Sequence, residues 1–188
     1  MSTRKYELRK RAEQQEETRR RIVEATVGLH LTAGPAATRI TEIAQRAGVQ
    51  RRTVYNHFPD DRTLFAACSA HWRELHPAPD PAEWERIDDR PERLRRALRD
   101  LYAWYRETEP MTANVLRDAQ LLPALDAVIA PGLGAYLDRV RAVVAGDSGK
   151  RVKAAAAVAV DFHVWQTLAP LGDRAAAELA ARFVELAA

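Results

Sequence analysis

Between Ile40 and Pro59 the chain reads ITEIAQRAGVQRRTVYNHFP, and no other stretch narrows the possible folds as much. Ile40, Ile43, Ala44 and Ala47 recur at helical spacing, which gives a short helix over 40–47 one apolar face. Gly48 stands where a left-handed residue ends such a helix, and Gly48-Val49-Gln50 forms a turn. A second short helix, Arg51 to His57, has Val54 and Phe58 as its only inward residues, and Pro59 ends it. Two short helices joined by a tight turn have the dimensions of a helix-turn-helix, the first packing across the second through Ile43, Ala44 and Val54.

The rest of the chain reads as helix too. Alanine, leucine and arginine dominate the 188 residues, β-branched residues are scattered, and no strand is expected. Helices are expected at Glu16–Leu31, at Asp61–Leu75 with Asp60 as its cap, at 91–108, 111–122 and 151–169, and at Asp173–Glu185. A further one over 124–145 is interrupted at Pro131-Gly132. The proline-rich stretch HPAPDPAEW (76–84) is expected to be largely non-helical and to separate two modules. The division is therefore a basic arm at 1–12, a helix-turn-helix module at 13–75 and a second helical module at 84–188.

Charge is distributed unevenly. Through Arg62 there are thirteen Lys/Arg against eight Asp/Glu, and beyond it sixteen against eighteen, so the basic excess lies at the N-terminal end. Five of those cations fall within the first eleven residues, MSTRKYELRKR. A basic end on a nearly neutral body suits a polyanionic partner. The helix 51–57 offers the matching chemistry. Arg51 and Arg52 carry forks that fit guanine O6 and N7, Asn56 suits an adenine edge or a phosphate, and Gln50 can reach a base. Thr53, Tyr55 and His57 supply donors for phosphate oxygens, which fix register, and the helix ends at Thr41 and Asp61 add backbone N–H groups.

With those residues in view, positions 18–75 resemble the DNA-binding domain of the tetracycline-repressor (TetR) family of one-component transcriptional regulators. The matching pieces are RIVEA, TEIAQRAGV, TVYNHF and the P-x-x-x-x-LF that follows. The resemblance implies a homodimer that binds a palindrome in double-stranded DNA. It also implies a C-terminal helical domain that holds a small-molecule effector and supplies the dimer interface. Three departures stand out. Asp61 occupies a place where a phosphate-contacting lysine is common, and Arg39 one where a threonine cap is usual, with Thr38 as the substitute. The arm is also longer and more basic than the motif needs, so Arg4, Lys5, Arg9, Lys10 and Arg11 are expected to offset the missing lysine.

For an effector, candidate walls are Leu101, Tyr105, Val115 and Phe162, with Trp104 and Trp165 as secondary candidates and Tyr102, Asn114, Asp118, His163 and Gln166 as orienting polar groups. The small side chains of AAAAVAV (154–160), with Leu179, Phe183 and Leu186, point either to the dimer seam or to packing within one subunit. Cys68 and His71 are spaced like half a zinc site, but no second pair follows, so no metal or other cofactor is expected. Nothing in the chain reads as an enzyme motif: GDSGK (146–150) lacks the first glycine of a phosphate-cradling loop and reads as a turn. With one cysteine, no secretory leader pattern and no long apolar run, a cytoplasmic location is expected. The expected function is a ligand-responsive repressor. Its rivals are a helical protein-interaction module and a small enzyme that never touches nucleic acid.

Overall fold

The computed structural model describes residues 3–188, with side chains from residue 6 onward. The side chains of Arg4 and Lys5 lie outside the described residues. No strand occurs among the described residues, in accord with the all-α expectation. The helices are α1 (Thr3–Thr32), α2 (Ile40–Ala47), α3 (Arg51–His57), α4 (Asp61–Leu75), α5 (Pro81–Glu85), α6 (Arg90–Ala119), α7 (Pro123–Ile129), α8 (Ala135–Ala145), α9 (Lys150–Ala159), α10 (Phe162–Leu168) and α11 (Asp173–Glu185). The described residues form two compact units, one of 3–75 and 110–129, the other of 76–109 and 130–188. The first unit thus takes in residues 110–129, which the expected division at 76–84 puts in the second module.

In the first unit α1, α2, α3 and α4 close one core. Ile22, Val23 and Val27 of α1 meet Ile43, Ala44 and Ala47 of α2, Val54 and Phe58 at α3, Leu64 and Cys68 of α4, and Met111. α2 ends as its glycine requires: Gly48 has φ 65°, and the N–H groups of Gly48 and Val49 donate to the carbonyls of Gln45 and Ala44. Asp60 caps α4, its Oδ1 accepting from the Thr63 N–H at 2.8 Å. The start of α2 departs from expectation. The Thr38 hydroxyl donates instead to the Gly34 carbonyl, and the Glu42 carboxylate reaches back to the Arg39 N–H at 3.2 Å.

Three other expectations are corrected, while the stretch 76–84 is non-helical for most of its length, as expected, over residues 76–80. α1 begins at Thr3, not Glu16, because residues 3–21 hold neither glycine nor proline and their charges pair along the helix. Arg9 meets Glu13 at 2.8 Å, and Arg20 meets Glu17 and Glu24 at 2.8 and 3.1 Å. Within 76–84 the Asp80 carboxylate accepts from the Ala82 N–H, and Pro81 sits in the first turn of α5, where a missing N–H does no harm. α6 runs through Pro110 without the expected break. Buried side chains hold it on both sides, Leu101 and Tyr105 before the proline and Met111 and Asp118 after it. The expected helix 151–169 is in fact two, because the Asp161 carboxylate accepts from the N–H groups of His163 and Val164 and starts α10 afresh. The interruption near Pro131 is a π-helical turn, Ala130–Gly134.

The core of the second unit gathers Leu98, Leu101, Tyr102 and Tyr105 of α6, Val140 and Val144 of α8, and Phe162 and Trp165 of α10. Ala155, Ala156 and Ala159 of α9 and Ala176, Ala177, Ala180 and Ala181 of α11 are buried as well. The small residues of both helices therefore serve close packing within the chain.

Candidate nucleic-acid interface

α3 is seven residues long, and one of them holds it down. Val54 is fully buried, and Phe58, directly after the helix, is nearly so. Burying that side fixes the other. Arg51 and Tyr55, and likewise Arg52 and Asn56, are four residues apart and exposed. Gln50 at the N-cap is exposed too, while Thr53 and His57 are half-buried at the flanks. Thr41, at the start of α2, is exposed.

None of Thr41, Gln50, Arg51, Arg52, Thr53, Tyr55 or Asn56 has a side-chain hydrogen bond or ion pair among the described residues. Tyr55 leaves 48 % of its surface to solvent although it is aromatic. A helix face that is cationic, holds no acid and commits none of its donors internally is built to be satisfied from outside. Asp61 at the start of α4 is exposed, and the Asp60 cap already engages an N–H group of that helix end.

Two sets of residues that support the interface are not evident from local sequence. Arg19 of α1 lays its guanidinium 4.4 Å from the centroid of the Phe58 ring and donates to the His57 carbonyl at 3.5 Å. It ties the end of α3 to α1. Asn114 and Asp118, expected as ligand groups, hold the far end of α1 and the turn after it. The Asn114 Nδ2 donates to the carbonyls of His30 and Leu31 at 2.9 and 3.1 Å. The Asp118 Oδ2 accepts from the Ala36 N–H at 2.9 Å, and its Oδ1 from Arg117 at 2.7 Å. Asp118 is buried, which raises its pKa, but the Arg117 and Ala36 hydrogen bonds outweigh that and hold it below the usual range. Gly34, with φ 88°, lies under this pair, and a Cβ there would strike the Arg117 guanidinium and the Asp118 carboxylate. Beside them His30 is buried against Phe65, and desolvation lowers its pKa to about 4 despite Asp118.

The remaining effector candidates belong to the second unit. Leu101, Tyr102, Tyr105 and Phe162 are core residues. The Tyr102 and Tyr105 hydroxyls donate to the carbonyls of Ala159 and Val160 at 2.8 and 2.7 Å, and burial pushes both phenols up. His163 is exposed and pairs with Gln166, which reaches Glu109 at 3.4 Å. Tyr105, Phe162 and Trp165 form an aromatic cluster with centroids 5.2 to 5.6 Å apart. Within it the buried indole N–H of Trp165 has no acceptor. Asn114 and Asp118 are in the first unit. Cys68 is buried, and desolvation pushes its thiol up to about 12.

Comparison with known proteins bears on this geometry. The family model of the bacterial regulatory proteins of the tetR family matches residues 22–68, which run from α1 into α4. Among solved structures, a transcriptional regulator from Rhodococcus sp. Rha1 superposes with a TM-score of 0.61 at 20 % identity, over 89 % of this chain and 94 % of that one. A TetR transcription regulator from Haloarcula marismortui gives 0.58 at 18 % identity, over 92 % and 97 %. RolR in complex with resorcinol gives 0.53 at 21 % identity, over 94 % and 96 %. These likenesses establish the fold over nearly the full chain. No curated protein matches. No helix of the described residues is long and apolar enough to cross a membrane.

Proposed function

We propose, from the match of residues 22–68 to the family model of the bacterial regulatory proteins of the tetR family, that the chain is a ligand-responsive transcriptional repressor that binds a palindromic operator as a homodimer. The observation that carries the proposal is the outer face of α3. Arg51, Arg52, Tyr55 and Asn56 stand exposed and unpartnered on a helix anchored by Val54. Arg51, Arg52 and Asn56 read base edges in the major groove, with Gln50 beside them. Thr41, Thr53, Tyr55 and His57 fix register on phosphates.

One seven-residue helix grips one half-site weakly, so two copies are needed. The seam is the exposed apolar side of the C-terminal helices. Val158 of α9, Leu179 and Phe183 of α11 and Leu186 leave 44 to 83 % of their surfaces to solvent. A patch of that kind is characteristic of an interface. Docking both recognition helices then requires half-site centres about 34–36 Å apart, or a multiple of that.

The effector site centres on Tyr105, Phe162 and Trp165, where the orphaned indole N–H calls for an acceptor from a ligand. The resorcinol complex of RolR supports a small-molecule effector. A ligand that favours a conformation with the wrong helix spacing releases DNA through its differential affinity for the two states. No catalytic role is assigned.

The test is selection of bound sequences from a random duplex pool by the full chain, followed by footprinting. An enriched two-fold-symmetric site covered by two subunits is the expected result. Failure to enrich any sequence, or occupancy of a lone half-site by one subunit, refutes the reading.

A further inference from the structure

The second unit contains a charged groove that DNA binding leaves unexplained. It encloses about 700 Å3, and its charged lining is Glu85, Arg93, Arg139, Arg141, Asp147 and Lys153, drawn from α5, α6, α8, α9 and the loop before α9. That volume is in the range of small-molecule sites.

The four cations are only partly satisfied. Arg93 donates to the Ile87 carbonyl at 3.2 Å, and Arg141 to Asp138 at 2.7 Å. The Nε of Arg141 is buried with no partner. Arg139 lies 3.6 Å from Glu85, too far for a good hydrogen bond. Lys153 and Asp147 have no partner among the described residues. The loop is GDSG, with Gly146 at φ 56°, and α9 opens after it with no side-chain cap, so first-turn N–H groups also lack a side-chain acceptor.

With Arg141 already paired to Asp138, the cations Arg93, Arg139 and Lys153 face the lining carboxylates Glu85 and Asp147 in a concave, partly apolar setting that concentrates the field. We propose that this groove binds a small oxyanion bearing at least two negative charges, a phosphate ester or a polycarboxylate. Arg139 and Lys153 are its principal anchors, because their charged ends are the least engaged, and Arg93 completes the ring. Asp147 opposes binding and sets the minimum charge that the ligand must carry. The site is independent of the operator-binding face and would stand if that face proved not to bind DNA.

Calorimetric titration of the full chain with pyrophosphate and, separately, with citrate tests the proposal and tells the two ligand sources apart. Saturable binding of either is expected at moderate salt. Removing two charge-assisted hydrogen bonds in the Arg139→Gln/Lys153→Gln double variant should weaken it by about tenfold or more. Asp147→Asn should tighten it, which a merely structural role would not do. Arg51→Ala/Arg52→Ala should leave it unchanged, separating this site from the DNA-facing helix. Absence of saturable heat with both anions overturns the proposal. So does equal binding by the double variant with an unaltered melting curve, or abolished binding in the Arg51/Arg52 variant.

Discussion

The guanidinium of Arg19 stacks on the ring of Phe58 while its Nη1 donates to the carbonyl of His57, so one side chain of α1 clasps both residues at the end of α3. Arg19→Ala should cost about 1 kcal/mol of stability, the sum of a half-exposed cation–π interaction and a long hydrogen bond. Its effect on DNA affinity should exceed that on stability, because α3 is no longer held in register. Urea melts and fluorescence anisotropy with the selected operator measure the two. Affinity unchanged beside a lowered melting midpoint would assign Arg19 to the core alone.

Arg51→Ala and Arg52→Ala should leave the melting curve within error of the parent, since neither side chain has a partner among the described residues. Each should remove about 1–3 kcal/mol of discrimination at its own base pair. Competition binding against operators mutated one position at a time reads this out. Full affinity and preference in the double variant would remove α3 from the interface.

Deleting residues 1–11 removes five cations from the amino end of α1. Every phosphate that the truncated chain leaves without a cation should reduce the magnitude of the log–log salt slope by about 0.9. The slope is measured over a salt series with a fixed duplex. An identical slope would show that this helical extension stays clear of DNA.

His30 carries a pH prediction. Its folded pKa, near 4, lies below the ordinary histidine value of 6.5, so the unfolded chain takes up the proton first. Stability should be complete above the unfolded value and fall as pH drops from there to about 4, by at most roughly 3 kcal/mol. Asp118, also held low, adds a decline of the same sign at more acidic pH. Denaturant melts of His30→Leu across that range should show a shallower decline than the parent. Parallel curves would locate the acid sensitivity elsewhere.

Leu179 and Phe183 are each about half exposed on α11. Leu179→Glu/Phe183→Glu should convert a dimer into a folded monomer with weakened operator binding, as followed by sedimentation velocity. A parent chain that sediments as a monomer at micromolar concentration would defeat the dimer reading outright.

How far the sequence reveals the molecule depends on the range of the interaction. Gly48, the Asp60 cap and the bounds of α2, α3 and α4 are local signals, and all are legible. The exposed placement of Arg51, Arg52, Tyr55 and Asn56 follows from Val54 being the only inward residue within α3. The length of α1 escapes notice because a cluster of cations reads as an arm unless its glutamates at helical spacing are weighed. Pro110 misleads in the opposite direction, since burial on either side holds α6 together. The cap at Asp161 is visible in DFHV, yet the long alanine-rich run before it masks the new start. Arg19 with His57, and Asn114 with His30, are 38 and 84 residues apart, and no local pattern announces such pairs. In the second unit, the bonds from the Tyr102 and Tyr105 hydroxyls to the carbonyls of Ala159 and Val160 span 57 and 55 residues and are equally silent in the local sequence.

Seven residues fall well below the length at which a peptide keeps a helix in water. The segment proposed to address DNA therefore has no shape of its own and borrows it through Val54 and Phe58 from the unit beneath. Cut from the protein it would be coil, and grafted onto a surface without matching sockets it would read nothing. A lesion in either socket would silence the proposed reading while every exposed side chain of α3 remained chemically intact.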